Sequence, residues 1–434
     1  MHREPAVRRP GASLRGSGIA ATSRLAMLAP FRVRSFRFQF PADLTTSWGI
    51  EMENLVLGWY VLAETGSVLL LTLFWALQYL GTLLAPLFGM AGDRFGHRRI
   101  ICAMRISYAG LAAVMMVLAL TGVLRPAQVF AIATLSALVR TSDQAMRNAL
   151  VAATMPYDRL MATMGLSRST ADSARIGGPL AGAGLFAAFG MGGAYLAVTA
   201  CYLTGFLLTL GVAGARPRPY PIGSPRSSLW LDLKEGIACV WDAPPSLAAM
   251  WLAFLVNLTA FPLTSGLLPY IAKDIYHIGQ TGLGTLVASF ALGSLLGSIL
   301  VSLAGRLLRP ARMMIVFALA WYAGLLVFAQ MSGPGGGRVM LVVAGFAQSL
   351  CLVPMSVMLL HSAGERFRGR VMGVRMLAIY GVPIGLLAAG GLIDHIGFAS
   401  TASLYCAVGL ALTLLIALRW RTHLWPLTAP ANAR

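Results

Sequence analysis

Long apolar runs separated by short polar turns recur along almost the whole chain. Each run has about 20 residues, the length that an α-helix needs to cross a bilayer. Their number and spacing predict an all-α membrane protein with twelve membrane-spanning helices, spans 1 to 12. The predicted bounds are Pro41–Ala63, Ser67–Ala91, Ile100–Thr121, Pro126–Ala145, Ser169–Phe189, Gly193–Val212, Ser246–Tyr270, Thr281–Ala304, Met313–Met331, Val339–His361, Val371–Ile393 and Phe398–Leu418.

The spans fall into two groups of six that a longer polar stretch separates. We expect a basic, disordered cytoplasmic tail over residues 1–37, a six-helix bundle over 38–214, a cytoplasmic linker over 215–245, a second bundle over 246–421 and a cytoplasmic tail over 422–434. Within the linker, Ser228–Trp241 has the apolar spacing of a helix lying on the membrane surface. Two parallel repeats of this kind are typical of bundles that rock about a central binding site.

Composition and charge support a membrane location. The chain is 57% hydrophobic and 11% charged, whereas about a quarter of the residues of a soluble domain are charged. Of its 34 lysines and arginines, only Arg125, Lys273 and Arg338 fall on the side opposite the predicted tails, and Arg175 falls inside span 5. Basic residues concentrate in cytoplasmic loops. We therefore expect both termini in the cytoplasm and a bacterial inner-membrane location. The formal net charge of +19 is then explained by the cytoplasmic loops, and no nucleic-acid partner is expected.

Several kinds of site find no support in the residues. The five cysteines lie far apart, without a CxxC or Cys/His spacing, so neither a disulfide framework nor a metal site is predicted. A catalytic triad, a phosphate-binding Walker loop and a nucleotide-binding fold are also missing, which argues against an enzyme and against an ATP-driven pump. No cofactor is expected.

The most specific motif joins spans 2 and 3. Its glycines suit close helix approach at Gly89 and a tight turn at Gly96, and Asp93 can face a helix N-terminus, where free amides favour an anion. The motif residues are Gly89, Asp93, Arg94, Gly96, Arg98 and Arg99, with His97 at a usual arginine position. This loop resembles the signature loop of the major facilitator superfamily. The resemblance implies the twelve-helix fold in two bundles, and a contact of Asp93 with span 11 that holds the outward-open state.

Further segments are similar to the enterobactin-exporter-like branch of that superfamily, whose members export drugs and siderophores. They are Leu57–Val61 with Glu64–Ser67, Ala174–Gly182, and Arg368–Gly373 leading into Gly381–Gly391. Gly178, Pro179 and Gly182 also resemble the antiporter motif of proton-coupled drug exporters and predict a bend in span 5. The second-half copy of the signature loop departs from the family pattern, because Gly305–Arg309 has no aspartate.

Ionisable residues at membrane depth are the candidates for a substrate or proton cavity, since an unpaired charge in hydrocarbon is costly. Glu51 and Glu53 lie near the middle of span 1 and point to nearly opposite sides of the helix. We expect at least one to line the cavity and favour Glu51, which shares a face with Asn54 and Gly58. Burial disfavours the charged carboxylate, so Glu51 could bind a cation or carry a proton. The alternative is an acid paired with an arginine. Further cavity candidates are Gln78, Asn257 and Gln348.

A second set of charges is predicted at the cytoplasmic ends of spans 4 and 5. Helical spacing relates Arg140, Asp143 and Arg147, and also Asp172 and Arg175. The two sets share one membrane level, which favours a network gating the cytoplasmic side, with ordinary salt bridges at helix ends as the alternative.

The sequence thus predicts a monomeric secondary transporter working by alternating access. We expect efflux of a small amphiphilic compound, such as a drug-like molecule or siderophore, coupled to an ion gradient and most simply to protons. The rivals are a metabolite importer of the same fold and a transporter-shaped sensor or scaffold that does not transport.

Overall fold

A computed structural model describes residues 29–213, 229–304, 309–362, 371 and 373–425. They form helices and turns, with no strand in the described ranges, so the predicted all-α fold is confirmed. The helices are Arg34–Thr65 (span 1); Val68–Leu77, Leu80–Leu84 and Ala85–Phe95 (span 2); His97–Leu120 (span 3); Pro126–Arg140 and Asp143–Thr154 (span 4); Tyr157–Leu210 (spans 5 and 6); Pro244–Thr259, Pro262–Gly266, Leu268–Tyr270 and Ile271–Ile275 (span 7); Gln280–Ala304 (span 8); Pro310–Ala329 (span 9); Pro334–Ser362 (span 10); Gly373–Ile396 (span 11); and Phe398–Arg419 (span 12).

Span 1 begins earlier than its apolar run. The helix starts at Arg34, so the last residues of the predicted disordered tail are helical. The reason is aromatic packing, because Phe31, Phe36 and Phe40 form two edge-on ring pairs and one tilted pair, with centroids 5.1 to 5.8 Å apart. Phe36 is almost fully buried. Burial of an aromatic ring stabilises the start of this helix. The pattern of charges alone assigns the same residues to the N-terminal tail.

The polar stretch Arg147–Ser167 lies between the predicted spans 4 and 5, and it is helical except at Met155 and Pro156. Span 4 continues to Thr154 after a break at Thr141–Ser142, and span 5 begins at Tyr157. The extensions are amphipathic, with Leu150 and Val151 buried while neighbouring positions are exposed. A helix that has left the bilayer core needs only one apolar face, which a search for continuous apolar runs does not detect.

Two spans depart from regular helix geometry. Spans 5 and 6 form one long run of helix that is broken at Gly190, whose φ of 67° only glycine adopts readily. Span 7 contains two π-helical turns, Pro262–Gly266 and Ile271–Ile275. The linker contains the helix Leu229–Asp242, close to the predicted surface helix, and residues 214–228 lie outside the described part of the chain.

Eight helices in the described ranges are long and apolar enough to cross a membrane. One of them, Thr163–Leu210, is 48 residues long and comprises spans 5 and 6. Spans 1, 2 and 4 are not among the eight. Span 1 carries Asp43, Glu51 and Glu53, whereas spans 2 and 4 are divided into shorter helices.

The two halves of the bundle meet near one end, called here the Gly66 end because span 1 ends there. Span 1 contacts span 7, span 2 contacts span 11, and span 5 contacts span 8. A Cβ on Gly58 would lie 3.3 Å from Pro269, and one on Gly284 would lie 2.8 Å from the Cβ of Ala183. These glycines let the two halves approach closely.

Three glycines at the opposite end, called the Gly96 end, have open surroundings. A Cβ on Gly89, Gly96 or Gly373 would meet no described atom within 4 Å. The close approach predicted at Gly89 is therefore not formed by described residues in this conformation.

Candidate functional site

The two glutamates of span 1 lie in different surroundings. Glu53 is 3% exposed, whereas Glu51 is partly exposed. Residues two positions apart on a helix point about 200° apart, so the two side chains face different neighbours. Glu53 faces span 6, and Glu51 packs against span 5, where a Cβ on Gly178 would lie 2.6 Å from the Cβ of Glu51.

Glu53 is surrounded by polar partners from two other spans, 4 and 6. The hydroxyl of Tyr202 donates to its Oε2 at 2.6 Å, and that of Tyr195 approaches Oε1 at 3.4 Å. Nη1 of Arg140 lies 3.6 Å from Oε2. Arg140 also donates through Nη2 to Oε1 of Gln78 at 2.5 Å. The charge of Glu53 is thus compensated by a cation and two hydroxyl groups, as a buried carboxylate requires.

A second charged group lies between Glu53 and the Gly96 end, inside the first half of the bundle. Arg105 of span 3 pairs with Asp43 of span 1, and Arg147 of span 4 pairs with Asp143 one turn earlier. Nε of Arg147 lies 3.7 Å from Oδ1 of Asp43, which joins the two pairs. We call these four residues the four-charge cluster. With two carboxylates and two guanidinium groups, it has no formal net charge.

Neutral acceptors complete the four-charge cluster. Nη1 of Arg147 donates to Oγ of Ser47 at 2.7 Å and to the carbonyl of Asp43 at 3.2 Å. Nη1 of Arg105 donates to the hydroxyl of Thr209 and, at 3.3 Å, to the carbonyl of Gly205 in span 6. The cluster therefore joins spans 1, 3, 4 and 6 in a low-dielectric interior, where paired charges interact strongly.

The charge network predicted for spans 4 and 5 is distributed over three places. Arg140 joins Glu53, whereas Asp143 and Arg147 belong to the four-charge cluster, because the break at Thr141–Ser142 separates Arg140 from Asp143. Asp172 pairs with exposed Arg168 at 3.5 Å, and Arg175 is exposed. Whether any of these groups gates the cytoplasmic side stays a prediction.

Asp43 and Arg105 were missed by the sequence analysis. Each stands as a single charge within or beside an apolar run, and 62 positions separate them. Arg105 had been counted among the basic residues of a helix end. A usable signal was present, because a charge well inside a span needs a partner of opposite sign, and Asp43 and Arg105 both lie in predicted spans.

The remaining cavity candidates have simpler surroundings. Nδ2 of Asn257 donates to the carbonyl of Ala253 in its own helix at 2.9 Å. Asn54 is partly exposed, and Gln348 is 7% exposed. Their roles in a cavity stay predictions. Among the described residues, no group of three or more His, Cys, Asp or Glu is arranged to hold a metal ion.

The segment of span 5 for which a bend is predicted packs tightly on span 1, and the bend itself stays a prediction. A Cβ on Gly177 would lie 2.5 Å from the Trp48 ring, and one on Gly182 would lie 2.9 Å from Cα of Met52. Pro179 lies inside the helix, and its carbonyl faces Gly284 of span 8. The glycines of this segment therefore allow close contact with span 1, and the proline lies at the contact with the second half.

In the signature loop, Gly96 has a φ of 90°, which favours glycine at the turn. Nη2 of Arg98 donates to the carbonyl of Leu210 at 2.5 Å, which satisfies an acceptor at the end of span 6. The guanidinium of Arg94 lies 5.4 Å from the neighbouring Phe95 ring centroid, and Arg99 is exposed. The side chain of Asp93 lies outside the described part, as do residues 363–370, so the predicted contact with span 11 is untested.

A family profile identifies this architecture. The profile of the Major Facilitator Superfamily matches residues 40–382 and 251–432, and so covers nearly all of the spans. The chain belongs to the major facilitator superfamily. No curated protein sequence matches it.

Solved structures share the fold at low sequence identity. A mutant of the nucleoside transporter NupG has a TM-score of 0.71 at 14% identity, covering 88% of this chain and 99% of that one. The POT family transporter PepTSo has a TM-score of 0.72 at 12% identity, covering 90% and 98%. A bacterial homologue of the human lysosomal transporter Spinster, in an inward-facing and unoccupied conformation, has a TM-score of 0.63 at 13% identity, covering 93% and 96%. This superfamily member is thus a multi-pass membrane protein with the fold of a transporter.

Proposed function

We propose that this chain exports a small amphiphilic compound by alternating access, and that protonation of Glu51 couples export to a proton gradient. The observation that carries the proposal is the contrast within span 1. Glu53 is compensated by Arg140 and two tyrosines, whereas the described residues form no hydrogen bond or ion pair with Glu51. A partly exposed carboxylate at mid-membrane is tolerable only beside water or a polar ligand.

The surroundings of Glu51 suit a group that changes its charge. Arg175 and Arg140 are near enough to act on it electrostatically without forming an ion pair. The approach of Gly178 removes one side of its solvent shell. A carboxylate that is desolvated on one side and has no ion-pair partner can take up a proton, or can pair with a cationic ligand, at modest cost. By comparison, protonating Glu53 would leave Arg140 without its carboxylate partner.

The finer assignments rest on the sequence. The arginine-rich loops favour cytoplasmic termini in a bacterial inner membrane. In that orientation the Gly66 end faces outward, so the contacts between the halves correspond to a state closed on the outer side. Efflux and the enterobactin-exporter-like branch rest on the quoted motifs. The structural neighbours are named as nucleoside and peptide transporters, so a metabolite importer is the second candidate.

The test uses three matched substitutions on one helix in purified, reconstituted protein. Glu51→Gln, Glu53→Gln and the exposed control Glu64→Gln each replace one acid with its isostere. Counterflow of labelled compounds measures substrate exchange, with a panel of dyes, siderophores, nucleosides and dipeptides. A pH-sensitive dye trapped in the vesicles measures proton movement.

We expect Glu51→Gln to keep counterflow but to lose substrate-driven proton movement, while Glu64→Gln matches the wild type. If the pH dependence of transport is the same in Glu51→Gln as in the wild type, Glu51 does not carry the coupling proton. Absence of counterflow for every compound would favour the sensor or scaffold. Everted vesicles then decide direction, because only an exporter accumulates its substrate in them when their interior is acidic.

A further inference from the structure

A single lysine of the second half makes a polar contact with span 1 at the Gly66 end. Nζ of Lys273 donates to the carbonyl oxygen of Leu62 at 3.1 Å. Lys273 belongs to span 7, and Leu62 lies in the last turn of span 1. The bond therefore joins the two halves of the transporter, between segments 211 positions apart in the chain.

The acceptor is the negative end of a helix. Span 1 ends at Gly66, whose φ is 63° and whose N–H donates to the same Leu62 carbonyl at 3.0 Å. The last carbonyls of a helix lack helical partners and carry the negative end of its dipole, so a nearby ammonium group is favourable. Leu62 itself has no exposed surface. The ammonium group thus reaches an acceptor that is largely shielded from solvent.

The geometry of span 7 brings this lysine into reach. Lys273 lies inside the π-helical turn Ile271–Ile275, in which the N–H of Tyr276 donates to the carbonyl of Ile271 at 2.8 Å. An earlier π-helical turn is closed by the N–H of Leu267 and the carbonyl of Pro262 at 3.1 Å. A π-helical turn holds more residues than an α-helical turn, so it changes the direction in which later side chains point.

The segment ends in an unusual backbone conformation. His277 has a φ of 51°, a left-handed value that is uncommon for residues other than glycine. The next residue, Ile278, donates its N–H back to the carbonyl of Ala272 at 2.8 Å. Such irregular backbone persists where the surrounding contacts favour it. The end of span 7 is therefore a segment whose shape depends on its packing in the closed state.

We infer that Lys273 is an outer latch: its bond to the Leu62 carbonyl stabilises the state in which the halves are closed at the Gly66 end, and opening breaks that bond. The inference rests on alternating access, which is part of the proposed function. It goes beyond that function by naming the residue that biases the two states. The approach of Gly58 to Pro269 at the same end is a packing contact, which lacks the directionality of a hydrogen bond.

The test measures conformation and not transport. Spin labels at Glu64 and His395, two exposed positions on opposite halves of the Gly66 end, report the gap by pulsed electron paramagnetic resonance. Lys273→Met keeps much of the side-chain length but removes the charge and the donor, whereas Lys273→Arg keeps both. The matched control is Lys234→Met in the linker helix, which changes the only other lysine of the chain.

We expect Lys273→Met to raise the ratio of open to closed molecules roughly tenfold, the usual scale for losing one charge-assisted hydrogen bond. Lys273→Arg should restore most of the closed population, and Lys234→Met should match the wild type. Identical distance distributions for Lys273→Met and the wild type would overturn the latch. Failure of arginine to rescue would reduce Lys273 to a packing role.

Spin labelling at chosen positions requires replacement of the five native cysteines, and the cysteine-free chain could fail to fold. A second measurement therefore uses the chain with its native cysteines. Hydrogen exchange of the unlabelled chain should be faster in Lys273→Met for the amides of Leu62–Ser67, and unchanged exchange there would also overturn the latch. If the distances shift but no compound is transported, the latch stands and the proposed function fails. If a compound is transported but the distances do not shift, the proposed function stands and the latch fails.

Discussion

The four-charge cluster makes the sharpest prediction about stability. Asp43→Asn removes one of two carboxylates and leaves Arg105 without a carboxylate partner, while Arg147 keeps Asp143. The side chain of Asp43 is 4% exposed and that of Arg105 is 1% exposed, so water cannot solvate the guanidinium group that loses its partner. Breaking a buried ion pair by removing one partner costs about 3–5 kcal/mol. We expect a loss of that size in the free energy of unfolding.

The assay is reversible unfolding in mixed micelles, followed by tryptophan fluorescence. The control is Asp172→Asn, whose partner Arg168 is 68% exposed, and which should change the free energy of unfolding by about 0–1 kcal/mol. Asp43→Asn with Arg105→Met should recover at least half of the loss, since Arg147 and Asp143 remain as a neutral pair. Equal stabilities for Asp43→Asn and Asp172→Asn would refute the reasoning.

Two further predictions concern the packing of span 1. Gly182→Leu should destabilise the fold by about 1–3 kcal/mol, the usual range for overpacking. The new Cβ would lie 2.9 Å from Cα of Met52, and a backbone atom cannot move aside as the end of a side chain can. Thermal unfolding in detergent measures the loss of stability. Tyr202→Phe should lower the free energy of unfolding by about 1.5–3 kcal/mol, since it removes a 2.6 Å hydrogen bond to the Glu53 carboxylate; mixed-micelle unfolding measures this.

Each of these predictions has a matched control in the chain. Gly184→Leu adds the same side chain at a position where no described atom lies within 4 Å of the Cβ, so it should be tolerated. Tyr195→Phe removes a longer contact of 3.4 Å with Glu53 and should cost less than Tyr202→Phe. Comparable losses for the two glycine variants, or a larger loss for Tyr195→Phe, would contradict the packing described.

The apolar runs predicted the helices well because a membrane span depends on local composition. The helix ends were harder to predict. Besides its neighbouring rings, Phe36 packs in a cluster with Val151 and Met155, which are distant in the chain, and Leu150 packs in a cluster with residues of spans 1 and 3. The sequence indicates that Asp43 and Arg105 each need a partner, but it does not show that they pair with each other, because that depends on how spans 1 and 3 pack. Likewise, no apolar run or motif in the sequence marks the π-helical turns of span 7 or the contact of Lys273 with span 1.

The candidate site was predicted only in part, for a related reason. The period of the helix correctly indicated that Glu51 and Glu53 face different neighbours. The helix period could not show that Glu53 accepts a hydrogen bond from Tyr202, because the two residues are 149 positions apart in the chain. The break at Thr141–Ser142 also escaped notice, and it decides that Arg140 and Asp143 belong to separate groups.

The four-charge cluster lies wholly within one half of the molecule. A rigid swing of one half against the other leaves its internal distances unchanged, so its electrostatic energy is the same throughout a turnover. Such a cluster can make the first half stiff, yet it cannot tilt the balance between opposite-facing forms. That balance must depend on contacts that change partners during the swing, and a weak bond between the halves can therefore outweigh a strong one inside either.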